Sequence, residues 1–124
     1  MRDYRKYERE LKDLLKESGF NSFRVAGSFG EFDVIAFKEG VPYLFQVKTT
    51  KNDKSIRISK FELRRLINFY LRHNTLKVFL AVKFRRDWRF YHVFQFKGFV
   101  TSTSTQTIEI RKDLGLTFEQ MLNF

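Results

Sequence analysis

The amino-acid sequence predicts a single α/β domain in which about five β-strands are flanked by helices. Its 124 residues are 43% hydrophobic, which is enough apolar material for one core, and the absence of cysteine excludes disulfides. Two stretches have apolar residues at helical spacing, and five others are rich in β-branched and aromatic residues. No internal repeat or linker interrupts them, so we expect one compact domain over residues 1–124.

Two main helices are predicted, one before the first strands and one in the middle of the chain. From Arg2 to Glu17, tyrosines and leucines recur at the spacing of an amphipathic helix. Ser59 and Glu62 have the spacing of a capping box, in which each residue satisfies a backbone N–H of the other. Apolar residues at helical spacing follow, so we expect the second helix to continue to about Arg72.

Five strands are predicted from runs of β-branched and aromatic residues. They are Phe23 to Val25, Phe32 to Phe37, Tyr43 to Lys48, Lys77 to Phe84 and Trp88 to Phe96. Residues 38–40 form a hairpin-length connection, so the second and third strands should be antiparallel neighbours, and residues 85–87 join a further pair. The polar stretch 101–107 is too short for a linker, and Thr117 with Gln120 can cap a short terminal helix.

The charge of the chain indicates a polyanionic partner. It carries 24 basic and 14 acidic residues, a net charge of +10, which favours nucleic acid or an anionic membrane; a merely solvated basic surface is the alternative. No apolar run approaches the roughly 18 to 20 residues that span a bilayer, and the N-terminal segment is charged and not a signal peptide. We therefore expect a soluble intracellular protein, without a membrane partner. With two histidines and no cysteine, any metal must be held by oxygen.

Three polar side chains are expected to cluster at the end of the predicted hairpin. Alternation along the third strand puts Gln46 and Lys48 on one side, and the hairpin brings Asp33 close to them. An acid, an amide and an amine suit phosphodiester hydrolysis, because oxygen ligands hold Mg²⁺ and a cationic amine steadies developing charge. Each residue taken singly also has a structural interpretation. Asp33 could satisfy a turn, Gln46 could be a polar residue on a solvated sheet face, and Lys48 could protect an edge strand from pairing with another chain.

Glu8 is a candidate fourth member of this cluster. Its position on the first helix is on the inward flank, close to Leu11 and Leu15 and away from the solvent face. A carboxylate placed there needs a partner. It could supply a metal ligand, or it could only form an i,i+4 salt bridge with Lys12.

Several short segments together resemble archaeal Holliday junction resolvases. The matching segments, in the right order and spacing, are Tyr7 to Leu11, Arg24 to Ser28, Phe32 to Ala36 and Gln46 to Lys48. The resemblance continues through 81–84 and 88–90, so that it covers roughly residues 4 to 96. It implies the restriction-endonuclease-like fold of the PD-(D/E)xK nuclease superfamily, with a central mixed sheet of about five strands.

The resemblance also implies roles for individual residues. Those of the family's metal and catalytic centre map to Glu8, Asp33, Gln46 and Lys48, with Glu8, Asp33 and Gln46 as ligands of Mg²⁺, for which Mn²⁺ is a plausible substitute; no small-molecule cofactor is implied. Ser28 matches a catalytic serine of the loop before the aspartate. The sequence departs from the family at Gln46, where glutamate is usual. This glutamine is either a natural variation whose carbonyl oxygen still binds metal or a disabling change.

The function implied is that of a homodimeric endonuclease in DNA recombination and repair, in the cytoplasm of an archaeal host, that nicks two strands of a four-way junction. Two symmetric sites address two related strands in one binding event. A restriction-like or repair nuclease acting on duplex DNA and a cleavage-deficient junction-binding protein are the alternatives. The expected DNA-binding residues are Arg9, Arg24, Lys51, Lys54, Arg57, Lys60, Arg64, Arg85 and Arg86.

The large number of aromatic residues suggests a dimer face. Sixteen phenylalanines exceed what one small core needs. The residues predicted for that face are Phe69, Tyr70, Trp88, Phe90 and Phe94. The alternative for them is a tightly packed core.

Overall fold

The computed structural model describes residues 4–25, 32–73, 77–100 and 106–124. Its helices are α1 (Tyr4–Glu17), α2 (Lys60–Arg72), α3 (Lys97–Val100) and α4 (Phe118–Leu122), with 3-10 turns at Val93–Phe96 and Lys112–Leu114. Its strands are β1 (Asn21–Arg24), β2 (Val34–Lys38), β3 (Val41–Thr50), β4 (Ser55–Ser59), β5 (Lys77–Phe84), β6 (Asp87–His92) and β7 (Thr107–Arg111).

A mixed five-stranded sheet in the order β1-β2-β3-β5-β6 forms the centre of the fold. β1, β2 and β3 are antiparallel neighbours, β3 and β5 are parallel, and β6 returns antiparallel to β5. The parallel pair requires a crossover, and α2 lies within it. The α/β fold class, the hairpin between β2 and β3 and the pairing of β5 with β6 are therefore confirmed.

Side-chain alternation along β3 divides the interior into two apolar layers. Leu44 points to the side of α2, where it joins Leu63 and Leu66 in one cluster. Phe45 points the other way and packs with Leu11 of α1 in the second cluster. Both layers cover the middle of the sheet, and β3 ends beside Gln46 and Lys48.

Two strands that the sequence did not predict form a separate small sheet. β4 and β7 pair antiparallel, with Ile58 opposite Ile108. Both are only five residues long and rich in polar side chains, and their partners lie about fifty positions apart, so no local pattern announces them. β7 begins at Thr107, the last residue of the polar stretch 101–107, and residues 101–105 lie outside the described part.

The ends of two elements follow from side-chain caps. The fifth predicted strand ends at His92 and not at Phe96, because the His92 ring accepts a hydrogen bond from the Phe94 N–H and starts a 3-10 turn. The terminal helix is confirmed: Thr117 and Gln120 form both arms of a capping box.

The predicted aromatic dimer face is wrong for two of its members. Trp88 and Phe90 are 8% and 0% exposed and belong to the core cluster beneath α1. Alternation does not separate an inner from an outer face on β6, because both sides of its sheet are covered. Phe69 and Tyr70 are partly buried against the other cluster, and Phe94 is 42% exposed.

Among the helices of the described residues, none is both long and apolar enough to cross a membrane.

Candidate active site

Asp33 is fixed at the point where β2 begins and β3 continues beyond it. Val34 pairs with Phe45, so residues 46–50 of β3 extend past β2. The backbone N–H of Asp33 donates to the Phe45 carbonyl at 2.8 Å. Its Oδ2 accepts a hydrogen bond from the N–H of Val47 at 2.8 Å. Val47 lies in the part of β3 that extends past β2. Main chain and side chain together therefore hold this carboxylate at the strand end.

Four of the five predicted catalytic residues line one cleft. Glu8, Asp33, Gln46 and Lys48 surround a volume of about 590 Å³, whose opposite wall comes from β4 and the start of α2. Gln46 and Lys48 reach it because alternation places both on the same side of β3. The structure thus gathers the residues as the sequence predicted, while their chemical roles stay predictions.

Burial and neighbouring charge act on Asp33 in opposing directions. Burial raises the pKa of its carboxyl group above the usual value, the hydrogen bond from Val47 lowers it, and the charge of Glu8 raises it again. The cations of Lys48 and Arg24 lower it more weakly, and the net shift in pKa is upward. A carboxylate held in this way gains from a further positive charge in the cleft.

Glu8 is held by a residue from the neighbouring strand β1. Its Oε1 accepts hydrogen bonds from Nε and Nη2 of Arg24, both at 3.2 Å. Lys12, the partner that helical spacing suggested, contacts Asp13 at 3.6 Å. The interpretation of Glu8 as half of a local salt bridge is therefore wrong, and its carboxylate faces the cleft across the sheet edge.

Gln46 offers an oxygen that the protein leaves unsatisfied. Its Oε1 is buried and accepts no hydrogen bond from the described residues. Such an atom costs free energy unless a ligand or water meets it. Within those same residues, no group of three or more His, Cys, Asp or Glu side chains could hold a metal. Two carboxylates, of Glu8 and Asp33, and the amide oxygen of Gln46 nonetheless fit a hard cation, which prefers oxygen ligands.

Lys48 has a partner for which the sequence predicts a different role. Its Nζ lies 2.7 Å from Oε2 of Glu62, a residue of the first turn of α2. The spacing predicts that Glu62 completes the capping box with Ser59. The hydroxyl of Ser59 does accept from the N–H groups of Phe61 and Glu62. The carboxylate of Glu62, however, lines the cleft.

The predicted DNA-binding residues fall into three groups. Exposed ones are Arg9, Lys51, Lys54, Arg57, Arg64, Arg85 and Arg86. Arg24 is partly buried in its ion pair with Glu8. Lys60 is only 3% exposed, so the prediction that it contacts DNA is wrong for this structure: it faces the core side of α2. Ser28 lies outside the described residues.

A second, basic cleft adjoins the first. It encloses about 390 Å³ and is lined by Lys51, Lys83, Arg85 and Arg86 together with Tyr7. Thr49 and Thr50, at the end of β3, line both clefts. A polyanion passing through the first cleft would therefore meet cations next to it.

The mixed sheet, with an aspartate, an amide and a lysine at the end of one hairpin, defines the class of nucleases with the restriction-endonuclease-like fold. A family model described as archaeal Holliday junction resolvase (Hjc) matches residues 2–124. The chain therefore belongs to the archaeal Holliday junction resolvases.

Two relatives support this assignment. The crossover junction endodeoxyribonuclease Hjc of Methanocaldococcus jannaschii is 39% identical over 94 residues, which cover 73% of this chain and 68% of the relative. The solved structure of Hjc from Archaeoglobus fulgidus, a Holliday junction resolvase, superposes with a TM-score of 0.76 at 26% identity, covering 95% of this chain and 93% of that one. Both fold and sequence thus agree with the family.

Proposed function

We propose that this chain hydrolyses phosphodiester bonds in two strands of a four-way DNA junction, with Mg²⁺ as the metal. The observation that carries the proposal is the cleft at the end of β3, where Asp33, Gln46 and Lys48 face the same space. The family to which the chain belongs consists of metal-dependent nucleases, and the relative from M. jannaschii is named as a crossover junction endonuclease.

We propose a separate chemical role for each residue of the cleft. Glu8, Asp33 and the carbonyl of Gln46 are the proposed metal ligands, and a bound divalent cation supplies charge that neutralises a phosphate oxygen and lowers the pKa of water. Lys48 is proposed to orient the attacking water and to steady negative charge as it develops. Arg24 balances the charge of Glu8 and keeps it at the cleft.

The DNA backbone is proposed to run from this cleft into the adjoining basic one. Lys51, Arg85 and Arg86 would contact phosphates on one side of the bond that is cut, because they line the space next to Thr49 and Thr50. Contacts of this kind fix the register of the DNA and carry no base sequence. That suits a substrate recognised by its shape.

The active form is proposed to be a homodimer. On the side of the sheet that α2 covers only in part, Phe23 and Phe37 are 50% and 42% exposed, and the register of β1 and β2 puts them on one face with Ile35. Phe69 flanks them on α2 and touches the ring of Phe32. Two exposed aromatic rings on one face of the sheet favour burial against a second copy.

Light scattering tests the dimer. Wild type should be dimeric at micromolar concentration, and Phe37→Asp should yield monomers because it places a charge in the interface. Phe61→Asp is the matched control, since Phe61 is 63% exposed and lies on α2 outside the core and outside this surface. A monomeric wild type, alone and with DNA, would exclude the dimer.

A panel of substrates tests the function. Wild type with Mg²⁺ should cut a mobile four-way junction into paired nicked duplexes and leave a linear duplex of the same sequence intact. Cleavage of both substrates at equal rates would favour a duplex nuclease. Tight junction binding without any cleavage would favour the cleavage-deficient binding protein.

A further inference from the structure

The ion pair between Lys48 and Glu62 joins the sheet to α2 inside the catalytic cleft. The two side chains are 30% and 37% exposed, and 2.7 Å separates Nζ from Oε2. Both residues line the same space as Asp33 and Gln46. The contact is an ion pair and not an aligned hydrogen bond, because Oε2 of Glu62 is buried and accepts no hydrogen bond from the described residues.

The position of Glu62 indicates that the pair does more than hold the helix. In α4 the capping residue Gln120 turns back, and its Oε1 accepts from the Thr117 N–H at 2.9 Å. Glu62 occupies the same position in α2, three residues after the cap Ser59. Its carboxylate is directed to Lys48 instead. The start of α2 thereby presents an acid to the cleft.

Glu62 supplies a negative charge next to Lys48 that position 46 of this chain does not supply. Position 46 carries a neutral amide on the same face of β3 as Lys48. A carboxylate at that position could itself contact the amine two residues further along the strand. In this chain the negative charge at 2.7 Å from Lys48 comes from α2. A lysine amine on a flexible four-carbon stem needs such a contact to be held in one place.

Resting on the proposed function, we propose that Glu62 is the positioning residue for Lys48, which holds the amine where it meets water and phosphate in the cleft. Direct ligation of the metal by Glu62 is the competing role. Its carboxylate does not join Glu8 and Asp33 in a group that could hold a metal, so far as the described residues go. Its close partner is the amine. Positioning of Lys48 therefore accounts for the contact better.

Glu62→Gln tests the proposal because it keeps the size of the side chain and removes the charge. At saturating Mg²⁺, kcat for junction cleavage should fall roughly 10- to 100-fold, as expected when a catalytic group is misplaced by about 1 Å. KM, junction affinity and the Mg²⁺ concentration for half-maximal cleavage should stay within about twofold. Glu62→Asp should recover part of kcat. Glu119→Gln, which removes an exposed acid from the first turn of α4, is the control and should cleave as wild type.

A second measurement is independent of catalysis. In ¹⁵N-labelled protein at low temperature, the Lys48 ammonium should give a resonance protected from exchange, assigned by its loss in Lys48→Arg. Glu62→Gln should remove that protection without moving the melting temperature by more than Glu119→Gln does. If wild type cuts no junction, the proposed function fails while this spectrum still reports on the ion pair.

Three results would overturn the proposal. Glu62→Gln could cleave with an unchanged kcat. It could raise the half-maximal Mg²⁺ concentration while leaving the saturated rate intact, which would make Glu62 a metal ligand. Finally, the Lys48 resonance could be equally protected in wild type and in Glu62→Gln.

Discussion

Replacing Gln46 with glutamate should strengthen metal binding by a measurable amount. In the structure the Oε1 of Gln46 is buried and without a hydrogen bond among the described residues. It is thus placed to meet a ligand. The substitution exchanges this dipole for a full charge in the same cleft as Glu8 and Asp33.

The size of the effect follows from the surroundings of that position. Two unit charges at about 4 Å interact by about 4 kcal/mol in a partly desolvated site, and a divalent cation doubles the attraction. Desolvation of the new carboxylate and attraction to the amine of Lys48 offset most of this. Because Lys48 is already paired with Glu62, its attraction to the new carboxylate is reduced. We expect a net gain of about 1.4 to 2.8 kcal/mol, which lowers the half-maximal Mg²⁺ concentration roughly 10- to 100-fold.

The assay is one Mg²⁺ titration of junction cleavage for three proteins, with calorimetry of metal binding beside it. Wild type should cut at millimolar Mg²⁺, Gln46→Glu at lower concentrations, and Gln46→Ala only weakly. If the glutamate variant alone cuts, the glutamine is a disabling change. If the alanine variant equals wild type at every concentration, Gln46 is not a ligand, and the centre consists of Glu8, Asp33 and Lys48.

Three further predictions test the basic surface and the packing. The double substitution of Arg85 and Arg86 with alanine should reduce the slope of log junction affinity against log salt by about 2. The control Lys16→Ala, about 12 Å further along α1 than Glu8, should change that slope by less than about 0.5. If both proteins give equal slopes, the two arginines do not contact the DNA. Burial lowers the pKa of His92 below 6.5, so the unfolded chain binds the proton more readily than the folded one. The free energy of unfolding should therefore fall as the pH drops through 6.5. His92→Asn should make the free energy of unfolding less dependent on pH in this range. A Cβ at Gly115 would lie 2.7 Å from Cζ of the buried Tyr91, so Gly115→Ala should cost about 1 to 3 kcal/mol in chemical denaturation, and an unchanged midpoint would show that the tyrosine can move aside.

The sequence was sufficient for the centre of the site because its geometry is local. Alternation along β3 fixes which way Gln46 and Lys48 point, and a short turn fixes where Asp33 meets them. Glu8 was found from its inward helical position, although its partner Arg24 could be known only from the fold.

The parts that the sequence did not predict depend on long-range packing. β4 and β7 pair although they are far apart in the sequence, so their pairing depends on the folded chain. The direction of the Glu62 side chain depends on how α2 packs over β3. The capping pattern at Ser59 predicted the start of the helix correctly, yet it cannot tell whether its acid turns back or reaches a lysine. Lys60 lies next to the cap, and only the structure shows that it is buried.

Cleavage of a mobile four-way junction by wild type and by Asp33→Asn tests the central claim most directly. Asparagine keeps an oxygen that can accept the Val47 N–H but loses the charge that the cleft uses. With Mg²⁺, a denaturing gel should show paired nicks for wild type and none for Asp33→Asn, while both proteins bind the junction within a few-fold of each other. Equal cleavage by the two proteins, or no cleavage by wild type at any Mg²⁺ concentration, would contradict the account.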